Sequence, residues 1–385
     1  MLILRVILAG TAVATLAARP GTIPGAAVAL GAAGIDAALG AGVAPAVRIV
    51  APMVVFLAAA LTLAGTLERA GLGERVAATL ARRARGSSLK LYAYVCLACA
   101  ALTATVSLDG AVVLMVPVLL ALKRYRAPFS PLFLGMVVVA NASSIAVPQG
   151  NPTNLLIIER LGIAPTTFLA HMLGPGILAA VLCAGSVAVS ERRRLAVPYA
   201  TPLAACEPLC KNEREAILAF VVAALAAWVA PLFGVAPWYP FAAAVALALI
   251  ATRRRPTAIV PWQLGVQIAA TLIVVRALGV PDLGRLGSTV PGLLLVAVLA
   301  GGASALLNNL PVGASAVALI TSAPLGYAAS VGLAVGSLAT PQGSVATLLA
   351  SDLAGDDAPE LPVRLLAPLA TVAVLAATLA VWAAL

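Results

Sequence analysis

The side chains best equipped for chemistry in this chain of 385 residues sit inside its apolar runs. Residues 141–154 read NASSIAVPQGNPTN. Pro148, Gly150 and Pro152 rule out a continuous helix there. Asn141, Ser143, Ser144, Gln149, Asn151, Thr153 and Asn154 offer uncharged donors and acceptors. A matching stretch, residues 336–349, reads GSLATPQGSVATLL and offers Ser337, Thr340, Gln342 and Ser344. Two shorter interruptions complete the set: Ser107-Leu108-Asp109-Gly110, and residues 306–311, LLNNLP, with Asn308 and Asn309. Irregular backbone at membrane depth is tolerated only where it is buried in protein or lines a wet cavity. Amides and hydroxyls bind oxyanions or neutral hydroxy-solutes without the cost of a bare buried charge. These stretches are therefore the candidate substrate site. Asp109, supported by Ser107, is the candidate for the coupling ion. A carboxylate at a hairpin tip in the membrane costs ~2.5–3.5 kcal/mol and should titrate or pair with a cation. The structural alternative is that Asp109 caps the second hairpin helix through backbone amides.

The elements that must position these residues follow from composition. The chain is 62% hydrophobic and 10% charged, with mean hydropathy +1.08. Apolar runs of about 20 residues recur along it, the signature of a polytopic all-α membrane protein. An outer-membrane barrel would instead alternate with a period of two. The net charge of +10 reflects basic residues clustered in short loops rather than a nucleic-acid surface. The five cysteines form no disulfide framework. Cys96 and Cys99 share an apolar helix, where packing outweighs a metal or redox role. Cys206 and Cys210 are either incidental or a thiol pair able to hold a thiophilic solute. His171 reads as a packing residue near an interface. An intramembrane protease needs a Ser–His dyad or paired aspartates at depth, which one histidine and one deep aspartate do not supply. The chain is not expected to be an enzyme, and no cofactor or metal is implied.

Helices are expected at about 2–18, 25–40 and 48–68, followed by a basic loop over 69–90. Residues 1–19 could pass for a signal peptide but read as the first spanning helix. Residues 91–122 lie between two basic clusters and are short for two full spans, so they read as a re-entrant hairpin. A broken helix over 130–158 and a closing helix over about 170–190 complete residues 1–190. A polar linker over 191–215 follows. Residues 216–385 repeat the order: helices at about 216–234, 239–252 and 261–279, a hairpin over 289–323, a broken helix over 326–351, and a last helix over about 364–383. Charge placement in the two halves is opposite, which makes them an inverted repeat. An offset of 193 gives seven identities over positions 144–156, including the shared Pro-Gln-Gly. The expected architecture is about ten transmembrane helices, two re-entrant hairpins and two broken helices. By this assignment 19 of the 24 basic residues lie on the cytoplasmic side and both termini lie outside.

Four stretches carry a family resemblance: residues 107–122 (SLDGAVVLMVPVLLAL), 138–157 (VVANASSIAVPQGNPTNLLI), 308–316 (NNLPVGASA) and 336–349 (GSLATPQGSVATLL). They resemble the ion transporter superfamily, and within it the ArsB/NhaD-type permeases. NNLP and GSLAT look most like arsenite permeases, while PQGNPTNLL also resembles putative anion permeases. The resemblance implies a scaffold and a transport domain, with hairpin tips and broken helices forming the substrate site. It further implies export of arsenite, antimonite or a related oxyanion in exchange for protons. The alternatives are a Na⁺-coupled anion or dicarboxylate transporter, a Na⁺/H⁺ antiporter, and, more remotely, a passive channel. The hairpin tips read SLD and LNN where sodium-coupled dicarboxylate symporters carry SNT, so that subgroup fits less well. The implied partners are the lipid bilayer of the cell (inner) membrane, a small inorganic oxyanion or neutral oxyacid, and H⁺ or Na⁺. A homodimer and a cytoplasmic ATPase subunit are compatible additions; nucleic acid is not.

Overall fold

The computed structural model describes residues 2–18, 22–69, 72–201, 262–279 and 283–385, with scattered positions between 214 and 246. The expected helices at 216–234 and 239–252 fall largely outside these residues. So do most of the linker, Cys206, Cys210 and Arg253 to Arg255. The described residues are helical without strands. Five helices among them are long and apolar enough to cross a membrane, and shorter apolar helices accompany them.

One group of helices comprises Leu2–Ala18, Ile23–Ala38, Ala44–Arg69 and Trp262–Ala277, packed side by side. Gly265 lets the last of these approach Val54 closely, since a Cβ there would lie 2.5 Å from a Val54 methyl. Arg5 ties three helix ends together. Its Nε pairs with Asp36 at 3.1 Å, Nη1 donates to the Ala277 carbonyl at 2.9 Å and Nη2 to that of Leu39 at 3.4 Å. These are carbonyls left over at helix C-termini, where a guanidinium is favourable. Asp36 is fully buried and was not foreseen as a deep charge.

The second group holds the interrupted elements. Hairpin 1 consists of Ser88–Val106 and Leu108–Leu122, packed on each other across the single residue Ser107. Hairpin 2 consists of Val290–Leu307 and Asn309–Leu319, broken at Asn308. Each starts with a hydroxyl cap, Ser87 on the Lys90 amide and Thr289 on the Gly292 amide. Broken helix 1 runs from Phe129–Ser143 through two 3₁₀ turns to Pro152–Leu161. Broken helix 2 runs from Ala323–Val335 through two more to Val345–Ala354. The closing helices, Pro165–Ser190 and Val363–Ala384, pack against each other. The segment Phe129–Ala146 is 89% buried, against 33–44% for the other four spans, which puts broken helix 1 at the centre.

One expectation needs correction. Residues 69–90 are not a loop: Leu72–Ala84 is an amphipathic helix. Val76 and Leu80, one turn apart, pack on the core beside Ala77 and Ala81. Gly73 meets Pro117 of hairpin 1, and Glu74 pairs with Arg124 at 2.9 Å. The charge of this stretch concealed its periodicity.

Candidate functional site

The two breaks share one backbone. Val147 and Thr340 are both extended, at φ −133, ψ 152 and φ −137, ψ 153. Pro-Gln-Gly then makes a 3₁₀ turn in each, closed by the Gly150 amide on the Val147 carbonyl and the Gly343 amide on that of Thr340. Asn151 and Ser344 return to extended geometry before the second half-helix starts. The glycines are needed for space: a Cβ on Gly150 would lie 2.3 Å from the Ser144 carbonyl oxygen, and one on Gly343 2.1 Å from that of Ser337. The shared Pro-Gln-Gly is thus a steric requirement of the turn.

The hairpin tips match in the same way. Ser107 has φ 108 and Asn308 φ 86, the left-handed region that costs an L-residue strain. Each side chain then caps the following arm, Ser107 on the Gly110 amide and Asn308 on the Leu310 amide. Ser107 is therefore the N-cap residue of the second arm of hairpin 1, with Asp109 in the first turn behind it. Asn308 is the counterpart of Ser107; the residue equivalent to Asp109 is Leu310. Asp109 is buried in the first turn of its arm. Among the described residues no cation pairs with it.

Each tip docks on the break of its own half. Gln149 Nε2 donates to the Ala104 carbonyl at 2.9 Å, and Thr340 Oγ1 donates to the Ala305 carbonyl; both acceptors lie three residues before a tip. Asn308 Nδ2 also donates to the Gln342 carbonyl at 3.0 Å, and Asn309 Oδ1 accepts from the Val345 amide at 3.5 Å. The outgoing arms cross over. Leu108–Leu122 packs on Val345–Ala354, and Asn309–Leu319 packs on Pro152–Leu161, where Gly313 abuts Thr153. Asn141 Nδ2 spans the halves directly, reaching Thr347 Oγ1 at 3.4 Å as well as the Val137 carbonyl at 2.9 Å. Thr347 was not singled out in the sequence, although the offset of 193 makes it the partner of Asn154.

Hydrogen-bond accounting shows which valences remain. Asn151 Nδ2 donates to Ser144 Oγ, and Asn151 Oδ1 accepts from the Thr153 amide and hydroxyl. Asn154 Nδ2 donates to the carbonyls of Ser144 and Val147. Ser144 and Ser337 hydroxyls donate to the carbonyls of Asn141 and Ala334. Four buried oxygens of the breaks have no partner among the described residues: Asn141 Oδ1, Asn154 Oδ1, Ser143 Oγ and Ser344 Oγ. The amide orientations are fixed by the carbonyls their nitrogens serve. Gln342 alone of the candidate side chains is exposed. The described residues hold no group of three or more His, Cys, Asp or Glu able to bind a metal. Cys96 and Cys99 are buried in packing, and His171 stacks on Tyr327 at 5.3 Å.

Comparison with known proteins gives this constellation its setting. Residues 2–332 match the CitMHS family, described as citrate transporter. The chain belongs to the CitMHS family. CitMHS proteins are membrane transporters rather than enzymes, and this member is a multi-pass all-α membrane protein consistent with the inner membrane. A putative arsenical pump membrane protein of Bacillus subtilis is 29% identical over 128 residues, covering 32% of this chain and 29% of that protein. A 46 kDa membrane protein of Mycobacterium leprae is 28% identical over 166 residues, 43% of this chain and 38% of that protein. The inner membrane protein YbiR of Escherichia coli is 34% identical over 84 residues, 22% of this chain and 23% of that protein. The matched stretches thus span well under half the length of these relatives.

Proposed function

We propose that this CitMHS member is a secondary transporter exporting arsenite, antimonite or a related small oxyacid in exchange for protons. Residues 1–190 and 216–385 act as inverted repeats, joined by the linker 191–215. The two tips and two breaks form the substrate site. The observation carrying this reading is the chemistry of the spare valences at the breaks. The amide nitrogens of Asn141 and Asn154 each serve two protein acceptors and that of Asn151 serves one, while Ser107 and Asn308 cap the Gly110 and Leu310 amides. The spare valences are the amide oxygens of Asn141 and Asn154, which only accept, and the hydroxyls of Ser143 and Ser344, which accept and donate. Such a site suits a ligand that both donates and accepts hydrogen bonds, as a neutral hydroxylated oxyacid does, better than a fully ionised anion that only accepts. Asp109, buried and without a cation partner among the described residues, carries the exchanged proton. The relation to a putative arsenical pump protein supports the same substrate class.

A second reading has its own support. Acceptor oxygens also coordinate Na⁺, and the family description is citrate transporter. On this reading a carboxylate crosses together with Na⁺. Everted vesicles loaded by a proton gradient separate the two. Export by proton exchange predicts arsenite accumulation that collapses with an uncoupler and ignores Na⁺. Citrate or succinate accumulation that requires Na⁺, without arsenite transport, refutes it.

A further inference from the structure

Away from the breaks, at the end of the bundle where basic residues concentrate, lies a cavity of about 720 Å³. One wall is the turn Gly86 to Leu89 that opens hairpin 1. The other is the end of the Pro165–Ser190 helix with Arg192 and Leu195 beyond it. Its roof is a strap over residues 196–200, held in place by hydrogen bonds. Ser88 Oγ donates to the Val197 carbonyl, the Tyr199 amide to that of Gly86, and the Ala200 amide to that of Tyr125 at 2.8 Å. The Tyr199 hydroxyl donates to the Ala81 carbonyl, and burial pushes its phenol above the ordinary tyrosine value, so it remains a donor.

The lining has two chemistries. Arg192 is exposed at the mouth, and the neighbouring carboxylate of Glu191 is engaged by Arg194 at 3.2 Å. Arg193, next to Arg192 in sequence, and Lys90, next to Leu89, are also exposed. Leu89 and Val189, on the two walls, and Val197 on the strap, are 54%, 66% and 59% exposed. A cationic mouth above exposed aliphatic walls, at the end of membrane-spanning helices, matches one kind of partner. The phosphate belongs at the arginine and an acyl chain along the aliphatic walls.

We propose that this cavity is a binding site for an anionic phospholipid, with the headgroup phosphate on Arg192 and a chain against Leu89 and Val189. The lipid joins the base of hairpin 1 to the closing helix of the same half. The site stands apart from the breaks, so it does not depend on which substrate they carry.

The test uses the full chain, purified in detergent and stripped of lipid, with thermal unfolding as readout. Short-chain phosphatidylglycerol, phosphatidylcholine of the same chain length and glycerol phosphate are titrated separately. The expected result is a saturable rise in Tm with phosphatidylglycerol alone. Arg192→Gln should weaken half-saturation about fivefold, the change corresponding to ~1 kcal/mol per basic residue at an anionic surface. Ala188→Trp, which places a bulky ring in the cavity beside Val189 without removing charge, should weaken the rise. An equal rise with phosphatidylcholine, or with glycerol phosphate alone, overturns the proposal, as does a titration that neither variant changes. The comparison of the three ligands on the unmodified chain decides the matter even if a variant does not fold.

Discussion

The two breaks have nearly the same backbone but are held in different ways. Break 1 is held mainly by its own residues: 141–154 are all buried, Asn151 bonds Ser144 and Thr153, Asn154 serves the Ser144 and Val147 carbonyls, and only Gln149 reaches out, to Ala104 of hairpin 1. Break 2 has no such network. Ser344 Oγ is unpartnered, Gln342 is exposed, and the turn is clasped from outside by Thr340, Asn308 and Asn309 through hairpin 2. The comparison teaches that Pro-Gln-Gly specifies the turn, while the residues around it decide whether the turn is rigid or depends on its hairpin. Break 1 is the more rigid of the two. Break 2 and hairpin 2 form a unit whose geometry one tip residue can alter.

The largest structural effect should come from the turn glycines. Gly150→Ala and Gly343→Ala each force a Cβ onto a carbonyl oxygen, and overpacking of this kind costs ~1–3 kcal/mol or more. Gly150→Ala should be the worse, because its surroundings are fully buried. Unfolding midpoints in mixed micelles measure this, and equal tolerance of both would erase the proposed difference in rigidity.

Next in size is Asn154→Ala, which strips the donor from two buried carbonyls. Each buried unsatisfied group costs ~1–3 kcal/mol, so a clear loss of stability is expected. Ser344→Ala removes a hydroxyl without a partner among the described residues and should be near neutral in the same assay.

Asn308 separates backbone strain from bonding. Asn308→Gly relieves the left-handed residue but loses the bond to Gln342; Asn308→Ala loses the bond and keeps strain of ~1–2 kcal/mol. Alanine should therefore be the less stable of the two. Transport should fall in both, because hairpin 2 loses its grip on break 2. Full transport with Asn308→Gly would show that the clasp is dispensable.

The smallest effect is expected at Asn141, whose 3.4 Å contact with Thr347 joins the halves. Thr347→Val should lower apparent substrate affinity severalfold and barely move the unfolding midpoint. A change in stability without a change in affinity would make this contact merely structural.

How much of this was legible in the sequence depended on range. The breaks were legible because proline and glycine act locally, and Pro148, Gly150, Pro341 and Gly343 mark them within a residue. The tips were legible only as regions, since Ser107 and Asn308 take left-handed geometry without being glycine. The Arg5–Asp36 pair was hidden because it joins residues 31 apart on separate helices. The Leu72–Ala84 helix was hidden under its own charge. The unpartnered oxygens of Asn141 and Ser344 could not be read at all, because spare valence is what remains after every other bond is known.

The most direct test of the account is proton-coupled flux through Asp109. Purified protein in proteoliposomes is given an imposed proton gradient, and arsenite movement is followed for the unmodified chain and for Asp109→Asn, which keeps the shape and cannot ionise. The account predicts gradient-driven accumulation that an uncoupler abolishes, and its loss in Asp109→Asn at unchanged unfolding midpoint. Accumulation that persists in both the uncoupled vesicles and the variant would contradict it.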